Sequence, residues 1–330
     1  MKQYYDRRLH AMLTYKRPHD SVSEEEFNRE FLFKDYEVRV LGDFTDPAAY
    51  VIEVGGGSSR TMFSCHVDTV HRSTGRQRVK FDPAKLVYCK TDNEPLGADD
   101  TAGCWLLLEM IDAGVPGTYV FHRGEERGGI GSSFIADKHV SFLKLFDRAV
   151  AFDRRGSCDV ITHQVAGRCA SDTFAQALAD AFNEDGESMY APSDMGIFTD
   201  TANYTSVIPE CTNISCGYMH EHTAAETLHL PTLFALRDNC LHIDWESLPT
   251  ERDPKEKRQA TWYDMGRYGT DTCAFNDYDY MSSAQLYQMS RAEMNDMAYT
   301  DPETFVDLVR QELFGEYGDE TDYKGLRYGN

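Results

Sequence analysis

Short apolar runs alternate with segments of helical periodicity between residues 4 and 244. Most runs are rich in β-branched or aromatic residues and end at glycine, proline or charged positions, as strands do. Strands that alternate with helices indicate an α/β three-layer sandwich, a mixed, mostly parallel sheet with helices on both faces. Strands are predicted at 36–41, 49–54, 61–65, 86–89, 118–122, 149–153, 159–163, 206–208 and 213–216, and helices at 4–16, 23–33, 101–113, 132–138, 171–183 and 230–244.

Three of these helices carry further information. The helix at 101–113 is apolar on most of its circumference, so we expect it to be buried at the centre of the fold. Ser171 is a typical N-cap residue for the helix that follows it. Ser23, with Glu26 three residues later, has the pattern of a capping box.

The composition changes near residue 247. Residues 1–247, which include N-terminal helices within 1–35, are expected to form one α/β domain that carries the candidate catalytic residues. From 248 to 330 the chain is more polar and tyrosine-rich, as in a linker followed by a helical C-terminal extension. Its helices are predicted at 282–298 and 301–314, and partner docking, self-association and a packed cap are alternative roles for them.

The chain is strongly acidic, with 55 Asp and Glu against 33 Lys and Arg and a formal net charge of −22. Nucleic acids and anionic membranes bind basic surfaces, so neither is an expected partner. No apolar stretch approaches the roughly 20 residues of a membrane span, and no signal peptide is expected. The nine cysteines show no CxxC pair, which favours reduced thiols and a cytoplasmic location.

The segment SCHVD at 64–68 ends an apolar run and contains His66 and Asp68. Residues two apart in an extended chain lie on the same side, so this carboxylate could orient a metal-binding imidazole. The alternative for this motif alone is an ordinary polar strand end at the surface.

Asp99 lies where a loop enters the apolar helix, in LGADDTAG at 96–103. A carboxylate at this position could bridge two cations, with one oxygen toward each. The alternative is an N-cap formed by Asp99 or Asp100. Both can hold together, with Asp100 as the cap and Asp99 as the ligand.

Two adjacent glutamates follow the predicted strand 118–122 in HRGEERGG. A metal ion would offset their repulsion if Glu126 were a ligand and Glu125 faced a water molecule. Burial beside a second carboxylate would raise the pKa of Glu125 toward that of a general base. A solvated turn, with Arg123 and Arg127 beside the glutamates, is the alternative.

Two further motifs add metal-ligand residue types. AVAFDRRG places Asp153 at the end of an apolar strand, and CGYMHEHTAAET offers His220, Glu221 and His222. Four of the five motifs are predicted strand ends, and sites in α/β sheets gather at the carboxyl ends of strands. Carboxylates with imidazoles suit Zn²⁺, Mn²⁺ or Co²⁺ better than Ca²⁺, which prefers oxygen ligands alone. The sequence therefore predicts a metal centre.

In this order, HVD, GADDTAG, GEERGG, FD and HTAAET resemble the motifs of the co-catalytic zinc peptidase superfamily. That superfamily includes bacterial leucyl aminopeptidase, tripeptidase T, glutamate carboxypeptidase and acetylornithine deacetylase. The resemblance spans residues 36–245. It implies a zinc-peptidase-like fold, two Zn²⁺ ions, with Co²⁺ or Mn²⁺ as alternatives, and hydrolysis of peptide or amide bonds.

The resemblance also implies a role for each matched residue. Glu125 is expected to be the general base, and Asp68 is expected to orient the first histidine. The peptide bond from Asp99 to Asp100 is expected to be cis, and Asp99 is expected to bridge the metals. The implied metal ligands are His66, Asp99, Glu126, Asp153 and His222.

The last ligand is a choice between His220 and His222. His222 is preferred because HTAAET is similar to the HTxxDT-like spacing of the aminopeptidase branch, with Glu226 in place of Asp. Many relatives insert a lid domain between the fourth and fifth ligands, but residues 154–221 must already supply core strands and a helix. No lid domain is therefore expected, which favours an aminopeptidase, although GADDTAG is more similar to tripeptidase T.

Several other functions stay open. A carboxypeptidase or an N-acyl amino acid amidohydrolase of the same superfamily would use the same residues. A single-zinc acyltransferase of the glutaminyl cyclase type is disfavoured by the intact HxD motif, and a binding protein on an inactive scaffold is disfavoured by the complete set of motifs. The expected substrate is a small peptide or an acylated amino acid, and a homo-oligomer is left open.

Overall fold

The computed structural model describes residues 6–43, 46–90, 92–164 and 167–255. The α-helices are α1 Arg7–Leu13, α2 Val22–Asn28, α3 Ala98–Asp112, α4 Ile130–Lys138, α5 Val140–Leu143, α6 Asp172–Phe182 and α7 Leu230–Cys240. The strands are β1 Tyr15–Lys16, β2 Arg39–Asp43, β3 Asp46–Val54, β4 Thr61–His66, β5 Gly75–Arg76, β6 Lys80–Asp82, β7 Val87–Cys89, β8 Gly117–His122, β9 Arg148–Arg154, β10 Asp159–Ile161, β11 His163–Gln164, β12 Gly167–Arg168, β13 Ala191–Ser193, β14 Glu210–Ser215, β15 Tyr218–Met219 and β16 Thr227–His229. A π-helical turn continues α2, and short 3-10 helices are formed by Glu125–Arg127, Asp200–Tyr204 and Trp245–Ser247.

An eight-stranded sheet forms the middle of the fold, in the order β13-β10-β14-β9-β4-β8-β3-β2. The adjacent strands β14, β9, β4 and β8 are parallel, as are β10 and β13. The strand β10 is antiparallel to β14, and β3 is antiparallel to β8 and β2. The predicted mixed, mostly parallel sheet is therefore confirmed.

Alternating side chains of the central strands fill two cores, one on each face of the sheet. In β3, Tyr50 and Ile52 belong to the larger core, together with side chains of α1, α3, α6 and α7. Ala49 and Val51 point the other way and belong to a second core, together with side chains of α4 and α5. Helices thus cover both faces, as a three-layer sandwich requires.

Helix α3 is buried along almost its whole length, and within it only Glu109 and Asp112 are not buried. The ring of Trp105 stacks on that of Phe234 in α7, with centroids 5.3 Å apart. The predicted central, apolar helix is confirmed, although it begins at Ala98 and not at residue 101.

The two predicted helix caps have different outcomes. The hydroxyl oxygen of Ser171 accepts a hydrogen bond from the N–H of Phe174, so this N-cap is confirmed. The capping box at Ser23 is wrong, because Ser21 caps α2 by accepting from the N–H of Glu24, whereas the hydroxyl of Ser23 donates to the carbonyl of Lys16. Both serines have a glutamate three residues later, so the pattern alone could not separate them.

The predicted strand at 206–208 is also wrong. This segment is a turn that follows the 3-10 helix Asp200–Tyr204, and its apolar residues Val207 and Ile208 pack into the second core. A short apolar run fills a core equally well from a turn, so it does not by itself specify a strand.

The stretch from Asp153 to His222 contains β10 to β15, α6 and a 3-10 helix, with residues 165 and 166 not described. These elements belong to the α/β fold or line its edge, and the described part contains no inserted lid domain. The helices predicted at 282–298 and 301–314 lie outside the described residues, and the division near residue 247 stays a prediction. Across the described chain, no helix combines the length and apolar character that crossing a bilayer requires.

A buried polar network near the start of α3 contains a neutral histidine, His71. Nε2 of His71 lies 3.0 Å from Oε1 of Gln77, which also accepts from the ammonium of Lys90. Nδ1 of His71 lies 2.8 Å from the hydroxyl of Thr69. Burial, reinforced by the Lys90 charge, lowers the pKa of His71 from 6.5 to about 4. The imidazole is therefore neutral in the folded protein at pH values where it is charged in the unfolded chain.

The lowered pKa of His71 predicts that acid destabilises the folded protein. The unfolded chain binds a proton near pH 6.5 and the folded protein does not, so stability falls as the pH decreases from 6.5 toward 4. The expected loss between pH 7.5 and pH 5 is about 2 kcal/mol from this one group. Urea unfolding with a chelator present should show a smaller loss in His71→Gln than in the wild type. An equal loss in both proteins would contradict the assignment.

Candidate metal centre

Four predicted site residues lie at one edge of the central sheet. His66 is the last residue of β4, and Asp153 is next to last in β9. Glu125 and Glu126 lie in the 3-10 turn that follows β8. Because β9, β4 and β8 are parallel neighbours, these side chains lie close together at the carboxyl ends of the strands.

Asp99 and Asp100 have different contacts at the start of α3. Both have non-helical backbone angles, and the peptide bond between them is cis. The carboxylate of Asp100 accepts hydrogen bonds from the backbone N–H groups of Gly103 (2.8 Å) and His66 (3.2 Å). Asp100 therefore caps the helix and ties it to β4, while the carboxylate of Asp99 faces the site.

Each carboxylate oxygen of Asp99 faces a different imidazole. Oδ1 lies 3.0 Å from Nε2 of His66, and Oδ2 lies 3.1 Å from Nε2 of His222. His66 and His222 are far apart in the sequence and meet only in the folded chain. A carboxylate with one oxygen toward each of two nitrogen ligands has the arrangement of a bridging ligand in a two-metal site.

The first group of ligand atoms surrounds His66. Its Nε2 lies 3.4 Å from Oδ1 of Asp153 and 3.9 Å from Oε2 of Glu125. Its Nδ1 lies 3.1 Å from the backbone carbonyl oxygen of Asp68 and 3.5 Å from the carboxylate of the same residue. These acceptors place a proton on Nδ1, so Nε2 is the nitrogen that can bind a metal.

The carboxylate of Asp68 also organises the turn that carries the two glutamates. It accepts hydrogen bonds from the N–H groups of Gly124 (2.9 Å), Glu125 (3.2 Å) and Glu126 (3.2 Å). Burial alone would raise the pKa of Asp68, but the interaction with His66 outweighs it and the pKa is lowered. Asp68 therefore stays ionised and holds both the first histidine and the glutamate turn.

The second group surrounds His222. Its Nε2 lies 3.1 Å from Oε2 of Glu126, in addition to its contact with Asp99. The other oxygen of Glu126, Oε1, is buried and has no hydrogen-bond partner. His220 takes no part in the groups of potential metal ligands found among the described residues.

Potential ligand atoms converge within 4.8 Å of one another in three groups of described residues: His66, Asp100 and Asp153; His66, Glu125 and Glu126; and Asp99, Glu126 and His222. Both oxygens of Asp100 already accept backbone N–H groups, so Asp99 is the better partner for His66. The structure thus brings all seven predicted side chains to one place.

Burial and the neighbouring charges raise the pKa of some groups in the cluster and lower that of others. Burial, with Asp153 nearby, raises the pKa of Glu125 well above 4.5, and burial with Asp99 nearby raises that of Glu126 to about 7. Burial opposes ionisation of Asp99, but contacts with His222 and His66 outweigh it and lower its pKa. Burial likewise opposes a charge on His66, yet the surrounding carboxylates raise its pKa well above 6.5. A divalent cation would replace the protons that this crowding otherwise demands.

The donor set therefore fits a divalent metal ion. Three carboxylates and two imidazoles converge at the sheet edge, which is the ligand chemistry of Zn²⁺, Mn²⁺ or Co²⁺. The buried oxygen of Glu126 that lacks a protein partner would gain one in a bound ion.

The residues that hold Asp153 are not among the predicted site residues. The hydroxyl of Thr199 donates to its Oδ2 (2.6 Å), and the hydroxyl of Tyr218 donates to its Oδ1 (3.1 Å). The side chain of Asn213 exchanges two hydrogen bonds with the backbone of Asp153. No spacing relates these residues to the aspartate. Tyr218 lies in the motif CGYMHEHTAAET, but its contact with Asp153 is visible only in the fold.

Solved structures of several peptidases share this fold. Aminopeptidase PepT from Bacillus cereus superposes with a TM-score of 0.57 at 11% identity, over 71% of this chain and 96% of that one. An aminopeptidase from the archaeon Desulfurococcus kamchatkensis gives a TM-score of 0.54 at 13% identity, over 75% and 95% of the two chains. The Pyrococcus horikoshii TET1 peptidase, which can assemble into a tetrahedron or a large octahedral shell, gives 0.51 at 15% identity, over 69% and 96%.

The likeness is one of fold and not of sequence. No protein-family model matches the chain, and no curated protein matches it in sequence. The superpositions confirm that the chain has the α/β sandwich fold of these peptidases.

The cluster predicts that divalent cations stabilise the folded protein. Zn²⁺ at 100 times its dissociation constant should add about 2.7 kcal/mol, which raises the melting temperature by roughly 5–10 °C for a domain of this size. Asp99→Ala should abolish most of this shift, because it removes a ligand from both groups. Asp137→Ala, at a carboxylate with 70% of its side chain exposed, is the control and should keep the full shift. A full shift in Asp99→Ala would contradict the prediction.

Proposed function

We propose that this chain is a metal-dependent exopeptidase, and in particular an aminopeptidase that acts on small peptides. The observation that carries the proposal is the position of the Asp99 carboxylate between His66 and His222. Two Zn²⁺ ions, with Co²⁺ or Mn²⁺ as alternatives, would be held by His66, Asp99 and Asp153 and by Asp99, Glu126 and His222. The peptidases that share the fold support this reading.

Glu125 is the residue that we assign as the general base. Its carboxylate lies inside the cluster but is farther from Nε2 of His66 than Asp99 and Asp153 are. Its raised pKa suits a group that takes a proton from water and then donates it to the leaving amine. Bound divalent cations would supply Lewis-acid polarisation of the peptide carbonyl and a lowered pKa for the attacking water.

The protein's own contribution is to hold these groups in position before substrate binds. The backbone N–H of Glu125 donates a hydrogen bond to Asp68, which fixes Glu125 in the turn. Hydrogen bonds from Thr199 and Tyr218 fix Asp153. Groups that are fixed in advance need little rearrangement when the bond is cleaved, which is a large part of enzymatic rate enhancement.

Two observations favour an aminopeptidase over a carboxypeptidase or a deacylase. The described residues between Asp153 and His222 build the α/β fold and do not form a lid domain. Two of the superposed peptidases are described as aminopeptidases.

Digestion of short peptides with a mass-spectrometric readout tests the proposal. The protein, supplied with Zn²⁺, Co²⁺ or Mn²⁺, should remove residues one at a time from the amino end and leave the N-acetylated copy of each peptide intact. Trimming from the carboxyl end would replace the aminopeptidase by a carboxypeptidase. Release of only the acetyl group would identify a deacylase. Absence of hydrolysis with every metal would refute the exopeptidase proposal.

The adjacent glutamates should respond differently to the same substitution. Glu125→Gln removes the base, so kcat should fall at least about 100-fold while the bound metal is retained. Glu126→Gln removes a ligand, so the metal content should fall as well. Steady-state kinetics together with elemental analysis after dialysis measures both effects. Near wild-type kcat in Glu125→Gln would remove the assigned role.

A further inference from the structure

Glu226 joins the two segments that carry Asp99 and His222. It lies four residues after His222, in the loop between β15 and β16, and only 1% of its surface is exposed. Its Oε1 accepts a hydrogen bond from the N–H of Asp99 (3.0 Å), and its Oε2 accepts one from the N–H of Gly97 (2.8 Å). One carboxylate thus fastens the loop of the last histidine to the segment of the bridging aspartate.

The segment that Glu226 holds has little room for adjustment. Gly97 has a φ of +71°, and a side chain there would meet the His71 ring at 2.8 Å. The N–H groups of this segment precede the regular turns of α3, so they lack partners within the helix. A buried carboxylate satisfies two of them at once, and charged acceptors form the stronger kind of hydrogen bond.

The two groups of ligand atoms differ in how they are supported. His66 and Asp153 lie on β4 and β9, which are paired strands of the central sheet. His222 lies in a loop, has a φ of +63°, and has half of its side chain exposed. The position of His222 relative to Asp99 therefore depends on how this loop contacts the start of α3, and Glu226 in the loop binds the backbone N–H of Asp99.

We propose that Glu226 is a positioning residue that sets the affinity of the second metal site, formed by Asp99, Glu126 and His222. The inference rests on the proposed function, because it requires two bound ions. The first site, supported by the sheet, is expected to be insensitive to Glu226. Partners that orient metal ligands typically change metal affinity by about 10–100-fold when they are removed.

Glu226→Gln tests this inference with little change of shape. The amide keeps one acceptor oxygen but turns an NH₂ group toward the second N–H donor, so one hydrogen bond is lost. Titration of metal-free protein with Zn²⁺, followed by elemental analysis after dialysis, should show one ion bound as in the wild type. The second ion should bind at least about 10-fold more weakly.

Glu210→Gln is a matched control. Glu210 is also fully buried, and its carboxylate accepts the backbone N–H groups of Ser171, Glu251 and Arg252, at the opposite end of β14 from the cluster. This variant should lose a comparable buried hydrogen bond and keep both ions at wild-type affinity. A loss of the second ion in both variants would show a general effect of destabilisation and would overturn the inference.

A second variant covers the case in which Glu226→Gln does not fold. Glu226→Asp keeps the charge and shortens the side chain by one methylene, and it should weaken only the second ion, by less than the Gln variant does. Unchanged affinity for two ions in either folded variant would overturn the positioning role alone. A wild-type protein that binds fewer than two ions would overturn the second site, and with it both the proposed mechanism and this inference.

Discussion

Negative charge is concentrated in a buried place at one edge of the central sheet, and the structure of the site depends on how this repulsion is offset. Asp68, Asp99, Asp100 and Asp153 are each at most 8% exposed, and Glu125 and Glu126 lie beside them. Burying a charge without partners is costly, so each carboxylate needs hydrogen bonds or opposite charge. The local architecture follows from the different ways in which these needs are met.

Backbone N–H groups and positively charged side chains together offset the repulsion between the carboxylates. The carboxylates of Asp68 and Asp100 accept backbone N–H groups, whereas Asp99 faces two imidazoles. The fully buried guanidinium of Arg17 donates to the carbonyl of Val67 and to the hydroxyl of Thr101, and so places a positive charge between β4 and α3. Glu126 faces His222 with Oε2, while its Oε1 is buried without a hydrogen-bond partner. A bound divalent cation would offset the repulsion that these contacts leave.

The sequence could predict the parts of this arrangement that follow from regular structure. His66, Asp153 and the two glutamates lie together because the carboxyl ends of parallel strands converge. The helix after Asp100 is apolar on most of its circumference, so its burial at the centre of the fold could be predicted. Details that depend on tertiary contacts could not be predicted. The same Ser-x-x-Glu pattern occurs at Ser21 and Ser23, and nothing local favours the first. The hydroxyls of Thr199, just before a 3-10 helix, and of Tyr218, in β15, reach Asp153 only through the tertiary fold.

We propose that two metal ions share the carboxylate of Asp99. Anomalous diffraction at the zinc absorption edge, from crystals grown with Zn²⁺, tests it most directly. The account predicts two peaks roughly 3.5–4 Å apart, one beside each oxygen of Asp99, the first near His66 and the second near His222. A single peak, or peaks that Asp99 does not contact, would contradict it.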